Sequence, residues 1–193
     1  MSGARAWVMA LGLAAAAGCH EQPLHGVVIA DPYPAPPLEL PRASGAPYVL
    51  AQDTGRVVLL YFGYTSCPDF CPMMLRDWKR VKADLGPQAD RTRFVFVAVD
   101  PQRDTPAVAD AFARRFDSTF VGLATDSAQL AALTRAWHIT VVREPASVPS
   151  RPDRYSVAHP AQAFLVNRAG RVQVMYPPET PWQDVAADLR RLP

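Results

Sequence analysis

The chain has 193 residues, of which 49% are hydrophobic and 20% are charged, and its formal net charge is +2 at pH 7. This length and apolar content suit one globular domain and argue against a disordered or fibrous chain. Because the charge is nearly balanced and no basic run is interleaved with aromatic residues, we expect no nucleic acid partner.

Residues 1–18 have the pattern of a secretory signal. Arg5 precedes an apolar stretch over residues 6–17, which is shorter than the ~20 residues of a membrane span and ends in small residues. The sequence Ala-Ala-Gly-Cys resembles a bacterial lipobox, which would make Cys19 the lipid-bearing first residue of a lipoprotein. An ordinary signal peptide that leaves Cys19 free is the alternative. We expect an exported bacterial protein, anchored to a membrane and facing the periplasm or the cell exterior.

Residues 19–47 are predicted to be the lipidated N-terminus and a tether. Seven prolines lie between His20 and Pro47, and proline at this density favours an extended spacer without internal hydrogen bonds. His20 and His25 are interpreted as solvated linker histidines. The tether would hold the domain over residues 48–193 away from the membrane.

The first strand and helix of this domain have strong local patterns. Residues 57–62 are continuously apolar, which is typical of a central strand buried on both faces. Gly86 and Pro87 end the helix that follows. Its predicted buried face has spacings of three and four residues and consists of Cys71, Leu75, Trp78, Val81 and Leu85.

The next segment predicts a strand and two helices. The strand covers residues 94–99, and Thr105 with Pro106 begins a helix as N-cap and first-turn proline. Asp126 or Ser127 caps the next helix. The residues expected to face inward from these helices are Val108, Phe112, Phe116, Leu130, Leu133 and Trp137.

The last part of the chain predicts three strands and a helix. The strands cover residues 139–142, 163–166 and 172–175, with a turn at residues 167–170. Thr180 has capping-box spacing and begins the final helix, with Val185 and Leu189 facing inward. This order of elements predicts an α/β domain with a mixed central sheet flanked by helices, and suggests a thioredoxin-like fold.

The chemistry of the chain centres on Cys67 and Cys71, four residues apart where the first strand turns into a helix. Two nearby thiols in an oxidising compartment form a disulfide unless they are kept reduced or bound to metal. A helix N-terminus favours their thiolate forms. Two thiolates are a soft donor set for copper, and an imidazole completes a three-coordinate site. His159 is the candidate imidazole.

Three separated motifs carry a family resemblance. GYTSCPDFCP, VAVDPQRDTP and YSVAHPAQAFLVNRAGRV resemble, in order and spacing, the motifs of the Sco/SenC family. Members of that family are thioredoxin-fold, copper-binding factors for assembly of cytochrome c oxidase. The resemblance covers residues 57–192 and implies that Cys67, Cys71 and His159 are copper ligands. It also implies that Asp100 lies near the metal.

Within the second motif, the resemblance leaves two roles open for Arg103 and Asp104: a turn with a salt bridge, or a functional part. Two positions depart from the family. Ala158 and Asn167 stand where the family often has Asp. The first departure removes a group that could orient His159, so we expect it to affect affinity more than ligand identity. We also expect the family's N-terminal hairpin to be abbreviated.

Other candidate donors are given structural roles. We expect His138 at a helix end to be a cation at the helix C-terminus or a surface residue. Met73 and Met74 are assigned to core packing or to a substrate-facing surface, because thioethers add little beside two thiolates. Tyr64 and Phe70 flank the cysteines and are expected to shield the site or to form a docking surface. Residues 143–158 are expected to form a mobile flap that brings in His159.

Two functions remain open from the sequence. The first is a membrane-anchored metallochaperone that holds one copper ion and delivers it to the copper site of cytochrome c oxidase. The alternative is a thiol-disulfide oxidoreductase that reduces the cysteines of the copper acceptor, with Cys67 and Cys71 as its redox pair. His159 distinguishes them, since copper needs it as a ligand and disulfide exchange has no obvious need of it.

Overall fold

The computed structural model describes residues 23–146 and 154–192. Its strands are β1 (Val27–Pro34), β2 (Glu39–Pro41), β3 (Pro47–Val49), β4 (Val57–Gly63), β5 (Thr92–Ala98), β6 (Val121–Ala124), β7 (Val142–Arg143), β8 (Val157–Ala158), β9 (Ala163–Val166) and β10 (Arg171–Tyr176). Its α-helices are α1 (Phe70–Leu85), α2 (Pro106–Arg114), α3 (Ser127–Ala136) and α4 (Trp182–Arg191). Short 3₁₀ helices cover Leu50–Asp53 and Gly86–Arg91.

The central sheet has six strands in the order β1-β10-β9-β4-β5-β6. Strands β4, β5 and β6 run parallel, whereas β9, β10 and β1 add antiparallel pairs. Helices α1 and α4 pack on each other, and α2 packs on β5 and β6. Two separate ribbons pair β2 with β3 and β7 with β8. The predicted mixed sheet with flanking helices is confirmed.

Strand β4 and helix α1 form the centre of the core. All seven residues of β4 are buried, as its continuous apolar run predicted. The predicted inner face of α1 is confirmed, since each of its five residues is buried. The helix ends at Leu85 because Gly86 adopts a φ of +55°, a left-handed conformation that glycine tolerates.

Helices α2 and α3 begin at the predicted caps. The Thr105 hydroxyl accepts a hydrogen bond from the Val108 amide, and Asp126 forms a capping box with Gln129. Val108 itself is 41% exposed, so the prediction that it faces inward is wrong. Strand β6 was not predicted, because it is only four residues long and contains Gly122. A Cβ at Gly122 would lie 2.1 Å from the Ala109 carbonyl oxygen, so glycine lets α2 pack closely on β6.

The prediction of an extended tether is wrong for much of residues 23–47. Strand β1 pairs with β10 at the edge of the central sheet, and β2 pairs with β3 as a hairpin. Prolines are compatible with these positions because an edge strand has amides that need no ladder partner. Leu40 and Tyr48 of the hairpin are buried. Residues 1–22, with the predicted signal, Cys19 and His20, lie outside the described part of the chain.

His25 is bonded to the domain, contrary to its prediction as a solvated linker residue. Its backbone amide donates to Asp188 Oδ2 at 2.9 Å, and its Nδ1 lies 2.7 Å from Asp188 Oδ1. Asp188 is fully buried in α4 and also accepts a hydrogen bond from the Tyr176 hydroxyl at 3.1 Å. The N-terminal segment is therefore fastened to the last helix.

The C-terminal half follows the prediction with two differences. Helix α4 begins at Trp182 after Pro181, without the side-chain cap predicted at Thr180, although Val185 and Leu189 are buried as expected. Of the strand predicted at residues 139–142, only Val142 belongs to a strand, β7. Across the two described ranges, the structure shows no helix that combines the length and hydropathy needed to cross a membrane.

Candidate metal centre

Cys67 and Cys71 lie on the connection from β4 to α1. Cys71 is the second residue of α1 and is completely buried, while Cys67 precedes the helix and is 9% exposed. The Cys71 amide points at the Cys67 sulfur, 3.4 Å away, so the first turn of the helix stabilises a thiolate there. Both cysteines are free thiols. The strand-to-helix turn thus places two sulfur donors on one side of the helix start.

Gly63, the last residue of β4, makes room for the buried thiol. A Cβ on Gly63 would lie 2.8 Å from the Cys71 sulfur and 2.8 Å from the Phe96 ring. Any larger residue would therefore push Cys71 or the aromatic core out of place.

His159 brings a nitrogen donor to the same point from the other end of the chain. It follows β8, and its Nε2 lies 3.7 Å from the Cys71 sulfur. Its Nδ1 lies 2.9 Å from the Pro160 carbonyl oxygen. When a metal is bound, a proton on Nδ1 would satisfy that carbonyl and leave the Nε2 lone pair for the metal. The backbone of Pro160 therefore supplies an orienting contact, although Ala158 offers no carboxylate.

The three predicted ligands form one cluster. The donor atoms of Cys67, Cys71 and His159 all lie within 4.8 Å of one another. Among the described residues, this is the one group of three or more His, Cys, Asp and Glu side chains with geometry suited to a metal ion. Its two sulfurs and one imidazole nitrogen match the soft donors that copper prefers.

Two tyrosines enclose the cluster. The rings of Tyr61 and Tyr64 meet the His159 ring nearly edge-on, at centroid distances of 5.8 and 5.6 Å. The Tyr61 hydroxyl lies 3.7 Å from the Cys71 sulfur. Tyr64 thus shields the site as expected, whereas Phe70 is 54% exposed at the start of α1.

The two thiols differ in their acidity. The hydrogen bond from Cys71 lowers the pKa of the Cys67 thiol well below its usual range, with further lowering from His159 and from backbone amides, against the opposing effect of burial. The bond to Cys67, together with burial, raises the pKa of Cys71. Cys67 is consequently the thiolate of the pair, and Cys71 carries the shared proton until a metal or a disulfide replaces it.

Asp104 fixes the loop in front of Cys67. Its carboxylate accepts hydrogen bonds from the Thr65 amide at 2.9 Å and from the Thr65 hydroxyl at 2.5 Å. Asp104 is only 3% exposed, so the two bonds satisfy a carboxylate that burial alone would destabilise. The sequence motif thus places Asp104 in direct contact with the cysteine loop.

Asp100 does not belong to the cluster of donor atoms. Its carboxylate accepts hydrogen bonds from Arg103 Nε at 2.5 Å and from the Tyr155 hydroxyl at 2.7 Å. The Arg103 guanidinium in turn lies 5.5 Å from the Tyr64 ring centroid, and Tyr64 contacts His159. Sequence reasoning did not single out Tyr155, although it stands in the third motif, four residues before His159.

The remaining candidate donors lie elsewhere. His138 is exposed, has a φ of +50°, and lines a groove of about 480 Å³ with His159, Trp137 and Met175. Met73 and Met74 line a different cavity between α1 and α4. Of the predicted flap at residues 143–158, Arg143 pairs in β7 and Val157 and Ala158 form β8, whereas residues 147–153 lie outside the described ranges.

Sequence comparison relates the chain to one protein family. The sequence profile of the SCO1/SenC family matches residues 33–193. The mouse "Protein SCO2 homolog, mitochondrial" is 29% identical over 149 residues, which are 76% of this chain and 57% of the relative. A "SCO2-like protein" of Rickettsia felis is 29% identical over 117 residues, 61% of this chain and 56% of the relative. The chain thus spans less than two thirds of the length of these curated relatives.

Two solved structures are similar over almost their whole length. Apo Sco1 from Thermus thermophilus superposes with a TM-score of 0.79 at 33% identity, covering 90% of this chain and 99% of the other. ScoI of Bradyrhizobium japonicum with copper bound superposes with a TM-score of 0.72 at 30% identity, covering 81% and 98%.

Proposed function

The chain belongs to the SCO1/SenC family, and on this basis we propose that it binds one copper ion through Cys67, Cys71 and His159 and delivers it to the copper site of cytochrome c oxidase. The observation that carries the proposal is the convergence of three soft donor atoms within 4.8 Å. Copper bound to the similar ScoI of Bradyrhizobium japonicum supports the choice of metal. In this proposal copper is the substrate that the protein carries and transfers.

The donor set fits copper in both oxidation states. Two thiolates satisfy the monovalent ion, and an imidazole adds the borderline donor that the divalent ion accepts. His159 Nε2 is free for this role when the proton is on Nδ1. Burial of Cys71 and the surrounding tyrosine rings keep water away from the Cys71 sulfur. Delivery then proceeds by ligand exchange, in which thiolates of the acceptor replace those of Cys67 and Cys71.

Copper stoichiometry tests the proposal. The full-length chain, solubilised in detergent and reduced under anaerobic conditions, should hold one copper per chain. His159→Ala should weaken this binding sharply, while His138→Ala, a change at an exposed histidine outside the cluster, should leave it unchanged. A chain that retains little copper before any substitution would contradict the proposal.

The unequal acidity of the thiols favours thiol-disulfide exchange as a second candidate function. The Cys67 thiolate would attack an acceptor disulfide and release one acceptor thiol. Cys71 would then give up its proton and displace the second acceptor thiol, leaving a Cys67–Cys71 disulfide and a reduced acceptor. A separate reductant would return the pair to thiols. If the parent chain holds no copper and thiol-disulfide exchange proceeds equally well in His159→Ala, thiol-disulfide exchange is the principal function.

We also propose that lipid on Cys19 anchors the chain to a bacterial membrane, with the domain on the periplasmic or outer side. The lipobox-like sequence before Cys19 supports this. Cells that express the full-length chain should incorporate labelled fatty acid into it, and Cys19→Ala should abolish the label. Label that survives the substitution would contradict the anchor.

A further inference from the structure

The turn at residues 100–104 lies between the two parts of the metal centre and is bonded to both. The amides of Arg103 and Asp104 donate to the Asp100 carbonyl oxygen at 3.2 and 2.9 Å, which closes the turn. Asp100 and Asp104 are buried, at 4% and 3% exposure. Buried carboxylates are uncommon unless they are paired. The residues that bind these two carboxylates therefore indicate the role of the turn.

One end of the turn holds the cysteine loop. Asp104 accepts both hydrogen bonds that Thr65 can donate, from its amide and from its hydroxyl. Thr65 stands two residues before Cys67, and the Cys67 amide donates to the Tyr64 carbonyl oxygen at 3.2 Å. The bonds to Asp104 thus fix the backbone immediately in front of the first thiol.

The other end of the turn holds the segment that carries His159. Tyr155 donates its hydroxyl proton to Asp100 at 2.7 Å, and its carbonyl oxygen accepts from Arg103 Nη1 at 3.1 Å. The guanidinium carbons of Arg103 and Arg143 lie over its ring, 3.6 and 3.9 Å from the ring centroid. Arg143 also donates to Gln102 in the turn, at 2.7 Å. Tyr155 is therefore held by contacts to its hydroxyl, its backbone and its ring.

A short ribbon connects Tyr155 to His159, so the placement of Tyr155 restricts the placement of His159. Strand β8 lies between them and pairs with β7, with Val157 opposite Arg143 and Ala158 opposite Val142. The Glu144 amide extends this pairing by donating to the Ser156 carbonyl oxygen at 2.9 Å. The two paired residues of β8 and the bonded Ser156 carbonyl leave little freedom for His159 once Tyr155 is fixed.

We propose that residues 100–104 are a brace that sets the position of His159 relative to the cysteine pair, and that Tyr155 is the positioning residue through which the brace acts on the histidine. This inference rests on the proposed copper function. The brace explains how His159, which stands 88 residues from Cys71, is held near the Cys71 sulfur although position 158 has no carboxylate. Tyr155 touches no donor atom of the centre, and its effect passes through His159.

A double-mutant cycle tests the brace. In the full-length chain in detergent, Tyr155→Phe should weaken copper binding about three- to tenfold in the parent, because a smaller fraction of molecules presents His159 correctly. The same substitution should change nothing in a His159→Ala background, since the group it positions is gone. Asp104→Asn acts on the cysteine loop and should weaken copper binding in both backgrounds.

Tyr48→Phe is the matched control. Tyr48 is also a buried tyrosine that donates its hydroxyl to a carboxylate, that of Asp53 at 2.8 Å, but it lies in the β2–β3 hairpin. It should lower stability without changing copper affinity. If Tyr155→Phe does not fold, Arg143→Gln at the exposed side of the ring should give a smaller loss with the same dependence on His159.

Hydrogen exchange on the copper-free chain separates failure of the brace from failure of the copper function. Tyr155→Phe should speed amide exchange in residues 155–159, and Tyr48→Phe should not. Faster exchange there would support the brace even in a chain that bound no copper. Unchanged exchange, or a loss of copper affinity that is the same with and without His159, would overturn the brace.

Discussion

The Tyr61 hydroxyl and the Cys71 sulfur lie 3.7 Å apart in the fully buried interior of the domain. Tyr61 comes from the centre of β4 and Cys71 from the start of α1, so the contact joins the central strand to the metal centre. Burial raises the pKa of Tyr61, and the neighbouring Cys71 raises it further, so the phenol keeps its proton as a donor to the sulfur.

Removing this donor should change the electronic character of the sulfur. Tyr61→Phe leaves the ring in place but takes away the hydrogen bond to Cys71, so the thiolate becomes a stronger electron donor. We expect the thiolate-to-copper charge-transfer band of the Cu(II)-loaded chain to move to lower energy, with copper still at one per chain. Absorption spectroscopy measures this, and an unchanged band would contradict the assigned contact.

The two thiols should react differently with an alkylating agent. Since the pKa of Cys67 is lowered to about 3, its modification rate should stay nearly constant from about pH 8 down to about pH 5. An ordinary thiol, with a pKa of about 8.5, slows about tenfold per pH unit over this range. Mass spectrometry of the singly labelled chain identifies the site.

Cys71→Ala provides the control for this reactivity. It removes the largest cause of the lowered pKa of Cys67, so the rate should fall more steeply toward low pH than it does in the parent. Labelling of Cys71 ahead of Cys67 in the parent would contradict the assignment of the thiolate.

The contact between His25 and Asp188 should make stability depend on pH. The hydrogen bond to Asp188 raises the folded-state pKa of His25 above its ordinary value of 6.5. The folded chain therefore binds more protons than the unfolded chain, and the stabilisation is complete below about pH 6.5 and lost as the pH rises through the folded pKa. The lowered pKa of Cys67 makes an opposite contribution in this range, so we take the effect of His25 as the difference in free energy of unfolding between the parent and His25→Gln at each pH. We expect this difference to fall across the window, as measured by denaturant titration.

His25→Gln isolates this contribution, because it removes the titrating group while keeping a polar side chain. His138→Gln serves as the control at an exposed histidine and should leave the profile of the parent unchanged. A difference between the parent and His25→Gln that stays constant between about pH 6 and pH 8 would contradict a stabilising role for protonated His25.

Adding one methyl group at the end of β4 should disturb the metal centre. Gly63→Ala would place a Cβ 2.8 Å from the Cys71 sulfur, so the thiol must move. We expect a loss of about 1–3 kcal/mol in the free energy of unfolding, together with weaker copper binding.

Gly45→Ala is the control for that substitution. Gly45 has a φ of +86°, but a Cβ at this position would have no neighbouring atom within 4 Å, so alanine is strained there without a clash. It should cost about 1 kcal/mol and leave copper binding unchanged. Equal effects of the two alanines on copper would show that Gly63 does not make room for the thiol.

Elements with a strong local pattern were predictable from the sequence. The apolar run of β4, the three-four spacing on α1 and the caps at Thr105 and Asp126 each depend on neighbours within a few residues. Sequence patterns did not predict β6, which is only four residues long and contains Gly122, or β1. Proline content suggested a spacer at β1, where an edge strand tolerates prolines.

The sequence by itself determined which donors the chain carries, through the spacing of Cys67 and Cys71 and through the motif around His159. Only the tertiary structure decided that these donors meet, with His159 3.7 Å from a sulfur that is 88 residues away. It likewise decided that Tyr155 binds Asp100 and that His25 binds Asp188. Local propensity acts over a few residues, whereas these distances are set by the packing of the whole sheet and its helices.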